Sequence, residues 1–312
     1  MRLLSLIAAL FPSVALADIV EIPGPNGPLA AEAITVSGAT HAVVIIPGSG
    51  PTDRDGNAPQ MGLNSDTYRL LAEGLAERGI ASLRIDKRGF YDSETAIDDP
   101  NDVTIEAYAQ DARDWVTRAA EIAPCVWLAG HSEGGLVALV AAQDPPDGLC
   151  GVILMAAPGR PVGQLMLEQL EANPANAPFL PELQTIISGL EGGDMRDPET
   201  ISPILQPLFS DGLQRYMINL FSYDPADVAR DWTGPALILQ GNADIQIGPE
   251  NGERLAAALP QAATVTLAEA THMLKRDVTG QPYATYTDPN LPLHEDAVPS
   301  IVAFIESSAP GE

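Results

Sequence analysis

Short, almost wholly apolar runs punctuate the chain at Ala33 to Val36, His41 to Ile46, Ile80 to Ile85, Cys125 to Ala129, Gly151 to Ala156, Ala236 to Leu239 and Thr264 to Leu267. Their length and their richness in Val, Ile and Leu predict strands buried on both faces. Between most of them apolar residues recur at helical spacing, as in Tyr68, Leu71 and Leu75 or Ile105, Tyr108, Ala112 and Trp115, and Glu133 to Gln143 and Glu250 to Leu259 are rich in helix formers. Strands alternating with helices predict an α/β protein with a mostly parallel sheet flanked by helices. One stretch breaks the alternation. From Arg160 to Trp232 the spacing is helical, prolines recur and no convincing strand appears, so it reads as a helical cap inserted between two strands. The expected organisation is residues 18–159 as the first part of a core, 160–232 as the cap and 233–312 as the second part of the core.

Composition narrows the partners. The 312 residues are 46% hydrophobic and 19% charged, which excludes disordered and fibrous classes. Setting 16 Lys and Arg against 42 Asp and Glu gives a net charge of -26. Such a field repels a phosphate backbone and an anionic lipid surface, so neither nucleic acid nor stable membrane association is expected. The expected partner is a small molecule, neutral or cationic.

The first residues, Met1-Arg2, an apolar run from Leu3 to Leu16, then Ala17 before Asp18, follow the order of a secretory leader. The run is shorter than the ~20 residues that cross a bilayer. Residues 1–17 are expected to direct export, with cleavage after Ala17 and a periplasmic or secreted product. Export would place the two cysteines in oxidising surroundings. Cys125 and Cys150 each open a strand-like run, and in neighbouring parallel strands their α-carbons would lie about 5 Å apart, within disulfide reach. A Cys125–Cys150 bridge is therefore expected.

Candidate chemistry concentrates at Gly130-His131-Ser132-Glu133-Gly134, a G-x-S-x-G pattern directly after a strand and directly before a helix. A serine at such a turn is held in a strained conformation with its hydroxyl at the carboxyl edge of the sheet, which makes Ser132 the candidate nucleophile. The amide of Glu133, at the helix start, can face a developing oxyanion. A second donor should follow an earlier strand, where Val43 to Ile46 runs into Pro47-Gly48-Ser49-Gly50; the backbone amide of Ser49 is the candidate, and its side chain reads as incidental. Asp53-Arg54-Asp55-Gly56 reads as a pin for that loop. A serine needs a base, and of His41, His131, His272 and His294 only His272 follows the last strand on Ser132's edge of the sheet. Asp244, past the strand at Ala236 to Leu239, is the candidate to orient it, with Asp227 and Asp231 as weaker choices.

These residues stand in the order Ser, Asp, His, and from about Ile34 onward the chain resembles the α/β-hydrolase superfamily. It is similar to a bacterial carboxylesterase branch, related to serine aminopeptidase-like hydrolases, that carries a GSGPxDRDG loop and a GHSEGG elbow. Here those are Gly48 to Gly56 and Gly130 to Gly135, with Arg84 to Gly89, Tyr223-Asp224-Pro225 and Gly241 to Gln246 as further matches. One departure is Tyr91-Asp92 in place of the usual glycine after the Arg-Gly-x turn. The resemblance implies an α/β-hydrolase fold with a helical cap, no cofactor and no metal. Ester cleavage through an acyl-enzyme on Ser132 is the expected activity, on short to medium acyl groups. Two alternatives stay open: an exopeptidase or amidase, with Glu168, Glu171 or Glu191 capturing a substrate amine, and a non-catalytic binding protein.

Overall fold

The computed structural model describes residues 15–308. Most of the expected leader, residues 1–14, lies outside them, and the expected cut after Ala17 falls inside the first strand. The chain opens with β1 (Ala15–Pro23), β2 (Pro28–Val36) and β3 (His41–Ile46), followed by a two-residue hairpin of β4 (Asn57–Ala58) and β5 (Leu63–Asn64). Helix α1 (Thr67–Ala76), β6 (Ala81–Ile85), α2 (Ile105–Ala119), β7 (Cys125–His131), α3 (Glu133–Ala142) and β8 (Leu149–Met155) then alternate. Four helices follow, α4 (Val162–Ala172), α5 (Leu180–Glu191), α6 (Asp211–Phe221) and α7 (Pro225–Ala229), before β9 (Ala236–Gly241), α8 (Pro249–Ala258), β10 (Ala263–Leu267), α9 (Ala284–Thr287) and α10 (Ala297–Ser308) close the chain.

Eight strands form one sheet in the order β1-β2-β6-β3-β7-β8-β9-β10. The pairs from β6 to β10 are parallel, and β1 and β2 join antiparallel at one edge. The mostly parallel sheet flanked by helices is thus present. Its edge is longer than the apolar runs suggest: β2 starts at Pro28, and β1 was not expected at all. In the central strands alternate residues serve opposite faces. Val44, Leu128 and Leu154 pack with α2 and α3, while Ile45, Trp127 and Ile153 pack with α1 and α10. Both faces are covered, so every inward side chain leaves water, each contributing about 1.5–3 kcal/mol for a residue of this size.

Cys125 and Cys150 are joined by a disulfide between the first residue of β7 and the second of neighbouring β8, with α-carbons 5.5 Å apart. Between β8 and β9 no strand occurs among the described residues. There α5 packs on α4 and α6, while α7 packs on α3 and α8 beside the sheet. No helix among the described residues is long and apolar enough to cross a membrane.

Candidate active site

The carboxyl ends of the parallel strands open into a cavity of about 1030 Å³. Ser132 lines it from the turn between β7 and α3, with φ 54° and ψ -126°, a left-handed backbone that costs a non-glycine residue of order 1–3 kcal/mol. Close approach on both sides explains the flanking glycines. A Cβ on Gly130 would sit 2.0 Å from the Gly134 carbonyl oxygen, and one on Gly134 would sit 2.4 Å from that of Ile46. Within the turn the Ser132 amide donates to the Met155 carbonyl at the end of β8 (2.9 Å).

Asp244 follows β9, His272 follows β10, and those strands are parallel neighbours. The structure brings the two side chains together: His272 Nδ1 donates to Asp244 Oδ2 at 2.7 Å, with both groups buried. The other carboxylate oxygen accepts from the amides of Gln246 (2.8 Å) and Ile247 (2.9 Å). Burial by itself would raise the Asp244 pKa, but the His272 ring and these amides override it and hold the carboxyl below its ordinary range. A neutral ring with its proton on Nδ1 leaves a lone pair on Nε2, and His272 lines the cavity together with Ser132. Among the described residues no hydrogen bond joins Ser132 Oγ to that ring; such bonds tighten when a substrate is seated.

The loop after β3 is pinned group by group. The Gly48 amide donates to Tyr68 Oη (3.1 Å), the Gly48 carbonyl accepts from Lys87 Nζ (2.6 Å), and the Ser49 carbonyl accepts from Thr52 Oγ1 (3.0 Å). Ser49 Oγ donates to Glu133 Oε2 (2.8 Å), so the side chain expected to be incidental is engaged. Among the described residues, neither the Ser49 amide nor the Glu133 amide meets an acceptor, and both residues line the cavity. Farther along, Arg54 pairs with Asp86 and Asp92, and Arg84 with Asp55 and Glu32, which anchors the loop to β6 and β2. Tyr91, where the resemblance implies glycine, takes φ 50° and donates its hydroxyl to the Pro51 carbonyl at 2.6 Å.

His131 sits beneath the turn. Its Nε2 donates to the His272 carbonyl (2.8 Å), so its Nδ1 carries a lone pair that accepts from the Tyr68 hydroxyl (2.9 Å). Burial, with the neighbouring His272, pushes its pKa down to about 3, which leaves the ring neutral and in one tautomer. Glu133 is buried beside Lys87, with Nζ 3.4 Å from Oε1. Lys87 also lies over the Tyr108 ring, 5.2 Å from its centroid. Lys87 lies in the Arg84 to Gly89 stretch and Tyr68 on the apolar face of α1, and no local pattern marks either as part of the site. The one local signal is a lysine two residues past a buried strand.

The remaining candidates lie elsewhere. His41 starts β3, and His294 Nε2 donates to the Ala268 carbonyl (3.0 Å). Asp227 pairs with Arg230, and Asp231 accepts from Gln143. Of the acids considered for amine capture, Glu168 pairs with Arg160, Glu171 accepts from Gln184, and none of Glu168, Glu171 and Glu191 lines the cavity. Among the described residues no three His, Cys, Asp or Glu side chains gather as a metal site.

The family model described as serine aminopeptidase, S33, matches residues 59–279, a span that includes Ser132, Asp244 and His272. The chain belongs to this family. It is similar to esterase EstD of Thermotoga maritima, 30% identical over 223 residues that make up 70% of this chain and 50% of EstD; the chain thus spans about half the length of that relative. The α/β-hydrolase GrgF from Penicillium sp. sh18 superposes with a TM-score of 0.60 at 18% identity, covering 94% of this chain and 99% of that one. Est1E from Butyrivibrio proteoclasticus gives 0.58 at 17% identity, covering 93% and 98%. A thermophilic esterase from Thermogutta terrifontis gives 0.57 at 21% identity, covering 94% and 100%. The fold is that of the α/β hydrolases.

Proposed function

We propose that the protein is a serine hydrolase that cleaves carboxylic esters of short to medium acyl chain through an acyl-enzyme. The single observation that carries the reading is the buried Asp244–His272 pair at 2.7 Å, sharing one cavity with a strained serine and two unpaired amides. His272 Nε2 takes the proton of Ser132 as Oγ attacks the carbonyl carbon. The Ser49 and Glu133 amides receive the negative charge on the carbonyl oxygen. His272 then protonates the departing alcohol, and water, activated by the same ring, releases the acid. Helices α4 and α6, from the segment 160–232, serve as the cap over this chemistry. Apolar side chains from them, among them Leu165, Met166, Met217 and Phe221, line the cavity and suit an uncharged substrate.

The family description raises a second reading, cleavage of an amide at a peptide amino terminus. That chemistry calls for an acid to hold the substrate ammonium. Among the described residues Glu133 is the only acidic side chain lining the cavity, and it is already engaged by Ser49 and Lys87. Esters are therefore favoured, in keeping with the name of EstD. Turnover of p-nitrophenyl acyl esters and of aminoacyl p-nitroanilides, measured side by side, tests the choice; faster cleavage of the anilides would reverse it. Export through residues 1–17 belongs to the same proposal. The Cys125–Cys150 bridge supports an oxidising compartment, and the amino-terminal sequence of the protein recovered outside the cytoplasm should begin at Asp18.

A further inference from the structure

Ser49 and Glu133, whose amides meet no acceptor, are also joined through their side chains. Ser49 Oγ donates to Glu133 Oε2 at 2.8 Å across a sequence separation of 84 residues. Lys87 closes the figure: Nζ donates to the carbonyl of Gly48 at 2.6 Å and lies 3.4 Å from Glu133 Oε1. Lys87 and Glu133 are almost wholly buried, their side chains 3% and 2% exposed. Two ionisable groups so far from water are expensive to keep, and replacing such pairs by apolar residues is often neutral or stabilising. Stability alone does not explain them. Loss of the charges would free Ser49 and Gly48 to move relative to α3.

We infer that Glu133 and Lys87 are positioning residues that act through Ser49: their side chains form a strut that sets the separation of the Ser49 and Glu133 amides. The inference rests on the serine-hydrolase reading. Each amide is fixed only from outside the strut otherwise, Ser49 through the loop and Glu133 through the first turn of α3. The strut spans the gap between the loop after β3 and the start of α3. A donor pair held at fixed spacing loses no free energy in reorganising as charge develops. It stabilises the transition state more than the ground state, so its loss should fall on kcat and leave KM in place. This reverses the reading of the Ser49 side chain as incidental.

The test uses the full chain and two readouts. The first is ester turnover. The second is the rate at which a fluorophosphonate labels Ser132: Oγ forms a bond to phosphorus, fluoride leaves, the serine proton passes to His272, and the phosphoryl oxygen occupies the site of the carbonyl oxygen. Ser49→Ala should lower kcat and the labelling rate together by about 10-fold, with KM within about twofold and the melting temperature unchanged. Ser49→Thr, which keeps a hydroxyl, should recover most of both. Glu133→Gln keeps an acceptor for Ser49 but loses the charge opposite Lys87, and should fall between wild type and Ser49→Ala in labelling rate. A Ser49→Ala protein within twofold of wild type in both readouts overturns the strut. So does a loss that appears as a rise in KM, or one that Ser49→Thr does not restore. Wild-type protein that is labelled at Ser132 but turns over no ester removes the ester reading and still tests the strut through the labelling rates; wild-type protein that is not labelled removes both.

Discussion

The floor and the roof of the cavity are built on opposite principles. The floor, from the ends of β3, β6, β7, β9 and β10 and the first turns of α1 and α3, is a hydrogen-bonded lattice in which Tyr68, Lys87, His131, Glu133, Asp244 and His272 each have a named partner at a fixed distance. The roof, from α4 and α6, is mostly apolar: Leu165, Met166, Leu213, Met217, Leu220 and Phe221 face the same space. Directional bonds define where atoms sit, whereas apolar packing defines how much volume remains. The floor should therefore govern rate and the roof should govern which substrate fits.

The largest way to break that contrast is at the floor. His272→Ala should lower ester turnover by at least about 1,000-fold while the melting temperature moves by only a few degrees; kinetics and calorimetry on the same preparation check it. A second change lies outside both regions. Cys125 and Cys150 join the amino ends of β7 and β8, the edge of the sheet opposite the cavity. Replacing both by Ala should cost about 3 kcal/mol in denaturant unfolding and leave kcat unchanged, which separates stability from the geometry of the floor.

A smaller effect comes from His131. Its folded pKa is about 3, against an ordinary 6.5. Between those values the unfolded chain carries a proton on this ring that the folded chain does not. This contribution is fully present above pH 6.5 and is lost progressively as the pH falls below it, by about 1.4 kcal/mol per pH unit for one proton. The slope of unfolding free energy between pH 4 and 6 should be shallower in His131→Gln than in wild type; equal slopes would contradict the neutral, buried ring. The smallest effect belongs to the roof. Met217→Ala enlarges the cavity without touching the floor, so it should shift kcat/KM toward longer acyl chains by about 10-fold or less and leave acetate turnover close to wild type.

Much of this division was legible in the chain and part was not. The central strands declared themselves because burial on both faces removes polar residues from runs such as Val43 to Ile46 and Val152 to Met155. The Ser132 turn was visible through its glycines and its place between a strand and a helix. The edge was harder. In Leu29-Ala30-Ala31 the strand is carried by residues without β-branching, two of them small, and Asp18 to Pro23 alternates too briefly to stand out. The links of the floor were also hidden. Lys87 meets Gly48 over 39 residues and Glu133 over 46, and Tyr68 meets His131 over 63. No local pattern encodes such pairings; they arise when parallel strands bring their carboxyl ends to one edge. Ser49 shows the consequence, since its side chain acquires a role only once α3 stands opposite.

The most direct measurement is hydrolysis of a p-nitrophenyl ester series, acetate through laurate, by the wild-type protein and by Ser132→Ala side by side. Saturable turnover of the short and medium esters that falls to background in Ser132→Ala is the predicted result. Turnover that survives the substitution would contradict the assignment of Ser132 as nucleophile and, with it, the account of the floor as the source of rate.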